Sequence, residues 1–161
     1  MRSQRAASHT SFSTKSEMDV HSRDLHCRFN SICYIDEQTP FLKQITEYFH
    51  QLGRIFQRHQ ALSNFGITLI HRHIELPERC AIVHLYQAPD KDLCLIEPVR
   101  SRMLFSRSYH LVDDSFLPYE FVLELTLALS AEFLCELKQF LRGHDLQQII
   151  GVFFVLSDKA L

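Results

Sequence analysis

Between residues 40 and 60, apolar side chains recur at three- and four-residue steps: Phe41, Ile45, Tyr48, Phe49, Leu52, Ile55 and Phe56. That is the period of a helix with one buried stripe. Thr39 is placed to cap it and Pro40 suits its first turn, while Asn64 and Gly66 are expected to end it. Gln44, Glu47, Gln51, Arg54 and Arg58 would form its wet face. A second helix is expected from Ser130, as cap, to about Arg142. Phe133, Leu134, Leu137, Phe140 and Leu141 would be its apolar face, with Gly143 as its stop.

Between these helices the period changes. Residues 67–76 and 79–87 predict two strands joined around Pro77-Glu78, and Ala88 to Asp92 predicts a turn. Leu93 to Val99 predicts a third strand and Met103 to Val112 a fourth, followed by a break at Asp113-Asp114-Ser115. Residues 119–128 alternate like a strand but could also extend the next helix, and Ile149 to Leu156 predicts a buried closing strand. Residues 25–36 offer Phe29, Ile32, Cys33, Tyr34 and Ile35 for a further short strand. Residues 1–24 are polar and rich in Ser, with too little apolar surface to offset ordering entropy, so a disordered tail is expected. The rest, 25–161, is expected to be a single α+β domain: an antiparallel sheet of about five strands packed by two main helices.

Composition narrows the function classes. The 161 residues fit one domain. Seventeen basic against nineteen acidic residues, and no basic-aromatic motif, argue against a nucleic-acid partner. No run of about 18 apolar residues occurs, so no membrane span is expected. Five cysteines with no C-x-x-C pair fit reduced thiols and a cytoplasmic location. Arg2, Arg5 and Lys15 precede any acid, which leaves organelle import as the alternative. No phosphate loop, dinucleotide fingerprint or nucleophile elbow is present. The ten histidines are the compositional feature with chemical content.

Three of those histidines can be argued geometrically. On a strand, Leu69, His71, His73 and Glu75 share a face, and on the next so do Cys80, Ile82, His84 and Tyr86. A two-residue turn at Pro77-Glu78 puts His71 opposite His84, His73 opposite Ile82 and Glu75 opposite Cys80. Opposed Cβ atoms lie about 4.5–5.5 Å apart. His71, His73 and His84 would then gather on one face as ligands for a divalent transition metal, with Glu75 or Glu78 as fourth ligand or base. A three-residue loop would send His84 to the other face. His71, His73 and Glu78 also match the opening of a cupin signature, without its glycines or its second motif.

Other constellations are simpler. Cys80, diagonal to His73 in that register, could pair with it as nucleophile and base. Cys94 and Cys135 sit in apolar sequence and are expected in the core. Arg100, Arg102 and Arg107, with Tyr109 and His110, could hold an anion, or could be the charges of an edge strand. Glu97, Asp113, Asp114, Glu120 and Glu124 are available as acid–base carboxylates.

Phe65 to His73 forms a Gly-x-x-Leu-x-His-x-His segment, and Pro118-Tyr119-Glu120-Phe121 follows later. In these features residues 40–156 resemble a group of small proteins of filamentous fungi. The resemblance implies a fungal, metabolic setting and draws notice to His71 and His73. Three functions follow as expectations. The first is an intracellular accessory or ligand-binding protein, whose partner is a small molecule or a protein. The others are a metal-dependent enzyme built on the histidine cluster and a protein-interaction module using the Phe-rich helix faces.

Overall fold

The computed structural model describes residues 24–86, 92–99, 103–124 and 126–155. Most of the tail expected at 1–24 therefore lies outside the described residues. So do Arg100 and Arg102.

The described chain is a mixed α+β fold. Helix α1 covers residues 24–30. It is followed by α2 (Ile35–Gln38), a 3-10 turn (Thr39–Phe41), α3 (Leu42–Thr46) and α4 (Phe49–Arg58). Strands β1 (Phe65–Leu69), β2 (Cys80–Tyr86), β3 (Asp92–Pro98), β4 (Phe105–Val112) and β5 (Ser115–Val122) come next. Helix α5 (Ala131–Gly143) and strand β6 (Ile150–Phe154) complete it. The six strands form one sheet in the order β1-β6-β4-β5-β2-β3, antiparallel throughout except for β2 beside β5.

The main core lies between the two long helices and the β1–β6 half of the sheet. Leu52, Ile55 and Phe56 of α4 meet Phe133, Leu137 and Leu141 of α5 over Phe65, Ile150 and Val152. The Phe56 and Phe133 rings meet edge-on at 4.9 Å. In β1 and β6 the paired residues Phe65 and Phe154, Ile67 and Val152, Leu69 and Ile150 carry this face. Helix α1 packs elsewhere. Its Leu25 joins Ala81 and Val99, and its Phe29 joins Ile70, Leu76 and Tyr119.

In place of the strand expected at 25–36, residues 25–30 are helical, Tyr34 makes a single bridge to Arg72 and Ile35 opens α2. Leu25 and Phe29 stand one helical turn apart, and both are buried by the sheet. The sheet has six strands because residues 119–122, the first part of the ambiguous segment 119–128, complete β5, which is tied to β4 through a two-residue turn at Asp113-Asp114. Asp113 takes the positive φ of 51° that this turn needs. Helix α5 clamps the same turn: Arg142 donates to the Asp113 carbonyl, and its Nη1 lies 2.9 Å from Asp114 Oδ1. The Ser130 cap is present, its hydroxyl accepting from the Phe133 amide at 3.1 Å.

The larger correction concerns the expected hairpin at 67–87. β1 and β2 do not pair; β6, β4 and β5 lie between them. The apolar face of β1 is satisfied by β6 under the helices. In β2, Ala81, Ile82 and Val83 are all buried, so both faces of this strand need cover and both edges need partners. The connection after β1 crosses the sheet instead of turning. It is pinned on the way: Asn30 exchanges two hydrogen bonds with the Leu76 backbone, at 2.9 and 2.7 Å.

Gly66 lies within β1 and does not end the first long helix, whereas α5 ends at Gly143 as expected. The left-handed residues just past the two helix ends are Gln60 and Asp145, with φ of 54° and 56°. Each is followed by an amide that reaches back five residues along the chain, Ala61 to the Phe56 carbonyl and Leu146 to the Leu141 carbonyl, both at 2.8 Å. These are Schellman closures in which an apolar residue just past the stop rejoins the core. Gly151 is required for a different reason: a Cβ there would sit 2.7 Å from the Tyr109 carbonyl oxygen.

Gln60→Gly should raise stability by roughly 0.5–1 kcal/mol, because a side chain in the left-handed region is strained. Gly151→Ala should lower it by roughly 1–3 kcal/mol through the backbone clash. Urea unfolding of the full chain checks both.

Candidate functional site

Four adjacent strands place one polar side chain each in a row across the sheet: Ser108 of β4, Glu120 of β5, His84 of β2 and Cys94 of β3. Register explains the row. His84 is the direct partner of Cys94, Ser108 that of Glu120, and the parallel pairing sets Ile82 beside Glu120 with His84 one step along the same face. Glu120 Oε2 accepts from the Ser108 hydroxyl at 2.6 Å and lies 3.3 Å from His84 Nε2. Cys94 Sγ is 3.8 Å from that same nitrogen. The side chains of His84 and Glu120 are only 13% and 21% exposed, so this pair is largely desolvated.

Burial disfavours the imidazolium of His84. The contact with Cys94, the hydrogen bond to Glu120 and the Glu120 charge outweigh that penalty against the opposing charge of Arg107, and the group is pushed up to about 10. Burial likewise works against a charged Glu120, yet the bonds from His84 and Ser108 and the positive charges of His84 and Arg107 hold its carboxyl below the ordinary range. Near neutral pH the two are therefore an ion pair. A general base has to be unprotonated near its working pH, which His84 is not. Glu120 and Cys94 both meet the Nε2 atom of His84. The row holds a charge pair and aligns four neighbouring strands.

The other histidines sit apart from this row. His71 and His73 follow β1, on the connection to β2. His71 Nδ1 donates to the Leu69 carbonyl at 2.7 Å, and its Nε2 is 3.0 Å from His73 Nε2. His84 does not join them, because the strands that would have brought it there are not neighbours. The expected set of His71, His73 and His84 is thus divided into a pair and a single residue. Among the described residues no group of three His, Cys, Asp or Glu side chains has the arrangement to hold a metal ion.

The remaining candidates separate in the same way. Glu75 is exposed and lies 3.8 Å from Arg72. Glu78 is exposed in the turn before β2. Cys80 opens β2 opposite Pro98 and packs against the Phe29 cluster, not against His73. Of the three arginines expected to hold an anion, Arg107 lies on β4, 5.9 Å from the centre of the Phe153 ring, and the other two lie outside the described residues. Cys94 and Cys135 are exposed rather than core. The sequence offered Glu120 only as one of five carboxylates, and its partners depend on a pairing of β2 with β5 that no local signal announces.

Two further polar features lie outside this row. Arg58, His59 and Glu136 join α4 to α5, with His59 Nε2 at 2.6 Å from the carboxylate, beside an open groove of about 560 Å³. His110 is buried against Tyr119 with its Nε2 unpartnered, and burial together with the Arg28 charge lowers it to about 4. No described helix is long and apolar enough to cross a membrane. Comparison of the chain with family models, with curated proteins and with solved structures returns no match.

The two shifted histidines give stability opposite pH limbs. His84 is raised above its ordinary value of about 6.5, so its stabilisation is complete below about pH 6.5 and lost as pH rises toward 10. His110 is depressed, so its stabilisation is complete above about pH 6.5 and lost as pH falls toward 4. In thermal melts, His84→Gln should lose most against the parent near pH 6 and almost nothing near pH 10. His110→Phe should flatten the acid limb and leave the alkaline limb unchanged.

Proposed function

We propose that the protein is an accessory binding protein that takes an extended segment of a partner protein along strand β3. The observation that carries this reading is the composition of that edge. β3 ends the sheet, and among the described residues it is paired only through β2. Leu93, Leu95 and Ile96 are 41%, 36% and 47% exposed along it. Proteins normally blunt such an edge with inward charges, bulges or prolines, because its free N–H and C=O groups template further pairing. Here Glu97 and Pro98 stand at one end of the strand, which leaves Leu93 to Ile96, among the described residues, as the stretch open to a seventh strand.

The chemistry of the edge selects the occupant. Added strands gain affinity from main-chain hydrogen bonds and specificity from alternate side chains. β3 carries two acids and no base. A complementary segment is therefore aliphatic at alternate positions and flanked by Lys or Arg. The groove between α4 and α5 is a poorer site: it is open and floored by the Arg58–Glu136 pair, with few apolar walls to enclose a small molecule.

The probe is a short synthetic peptide alternating Val and Lys, compared with the same peptide N-methylated at alternate amides. Hydrogen exchange should show protection of the β3 amides on binding the first and none with the second, and Leu95→Lys should weaken binding at least about tenfold. Equal binding of the N-methylated peptide would overturn strand addition. So would a concentration-dependent dimer abolished by Leu95→Lys, which would make a second copy the occupant.

A further inference from the structure

We propose that His71 and His73 form a two-imidazole chelate for a divalent late transition metal of tetragonal preference, Cu(II) or Ni(II). This proposal is independent of the β3 edge and does not use His84.

The distances argue for convergence on a common point. The two Nε2 atoms are 3.0 Å apart and the ring centroids 4.7 Å apart. A straight N–H···N hydrogen bond of that length would put the centroids about 5.3 Å apart, since each centroid lies roughly 1.15 Å behind its nitrogen. Two lone pairs directed at one atom about 2.05 Å from each nitrogen would put them about 4.7 Å apart, which is the spacing found. The angle subtended at that atom is then about 94°, with the rings nearly perpendicular at 86°. A bite near a right angle suits square-planar or tetragonal ions better than tetrahedral Zn(II). Imidazole nitrogen suits Cu and Ni, and affinity for a given nitrogen site rises toward Cu(II).

The surroundings hold the pair in that posture. The bond from His71 Nδ1 to the Leu69 carbonyl fixes the tautomer, which leaves Nε2 as the lone-pair nitrogen. Arg72, between the two, is locked on three sides. Its amide donates to the Cys33 carbonyl at 3.0 Å, its carbonyl accepts from the Ile35 amide at 3.2 Å, and its Nε donates to the Ile32 carbonyl at 2.7 Å. Its guanidinium lies 3.9 Å over the Tyr34 ring, a cation–π contact that holds the side chain in place. Alternation about a fixed Arg72 projects His71 and His73 together.

The test is a titration of the full chain, without an affinity tag, by Ni(II), chosen because the five cysteines would reduce Cu(II). Absorbance and the His ring proton resonances are followed together. One equivalent should bind with broadening confined to His71 and His73. His71→Gln and His73→Gln should each weaken binding at least about tenfold, and His84→Gln should leave it unchanged. Zn(II) should bind more weakly than Ni(II). His73 is exposed, so its variant keeps the fold even where loss of the His71 bond to Leu69 disturbs the connection. Unchanged affinity in the double variant, a thiolate-to-nickel charge-transfer band, or no saturable binding would each overturn the proposal.

Discussion

The parallel seam between β2 and β5 is the constraint on which the rest of the sheet depends. On one side stands the β1-β6-β4-β5 half, covered by α4 and α5, and on the other the β2–β3 pair. Only three residue pairs join the halves: Ile82 with Glu120, Val83 with Phe121, and His84 with Val122. Parallel pairing is slightly weaker per residue than antiparallel pairing, so three pairs cannot hold the seam by backbone alone. Burial of Ala81, Val83 and Val122, each with no exposed surface, supplies the larger part. Closing the seam also forces the chain after β1 to cross the sheet. That crossing carries Arg72 against residues 32–35, and with it the two flanking histidines.

Local structure was legible in part: the helix expected over 40–60 is divided into a 3-10 turn, α3 and α4, and the Thr39 hydroxyl donates to the Ile35 carbonyl instead of capping it, but other local signals held. Ser130 caps α5 as its position implies, the Asp113-Asp114 turn joins two strands, and the apolar stripes of α4 and α5 face the core. Strand partnership was not legible, because alternation shows which residues share a face but not which strand lies beside them. The β1–β2 hairpin was the economical reading of two neighbouring strands and a proline turn. It failed because burial of β2 on both faces demands two partners, and a β1 already satisfied by β6 cannot be one of them. The histidine site divided with it. His71 and His73 survive as a pair because their meeting depends only on alternation across one residue, whereas His84 depended on the register.

Glycine scarcity has a structural counterpart. Four left-handed positions are occupied by Gln60, Arg79, Asp113 and Asp145, and none of the four glycines in the chain takes a positive φ. Two of the glycines serve close approach instead. At Gly66 the Phe153 ring fills the place of a side chain, with a Cβ there 2.7 Å from the ring, and at Gly151 the neighbouring strand does so. The strain at the helix stops is offset because Ala61 and Leu146, just beyond them, are anchored in the core.

The row of Ser108, Glu120, His84 and Cys94 then has a physical reason to exist apart from chemistry. A desolvated ion pair is weak support for stability, since removing both charges from water costs about what their attraction returns. Its value lies in what it forbids. A slip of one residue between β5 and β2 would turn Glu120 to the face of Ala81 and Val83, where the environment is fully buried and apolar. An unpaired carboxylate there costs several kcal/mol, far more than three weak backbone pairings can offset. The Ser108 hydroxyl extends the same restriction to β4, where the pairing with β5 shifts register on both sides of Ser108. Polar contacts thus fix the alignment of a seam whose apolar residues alone would tolerate more than one.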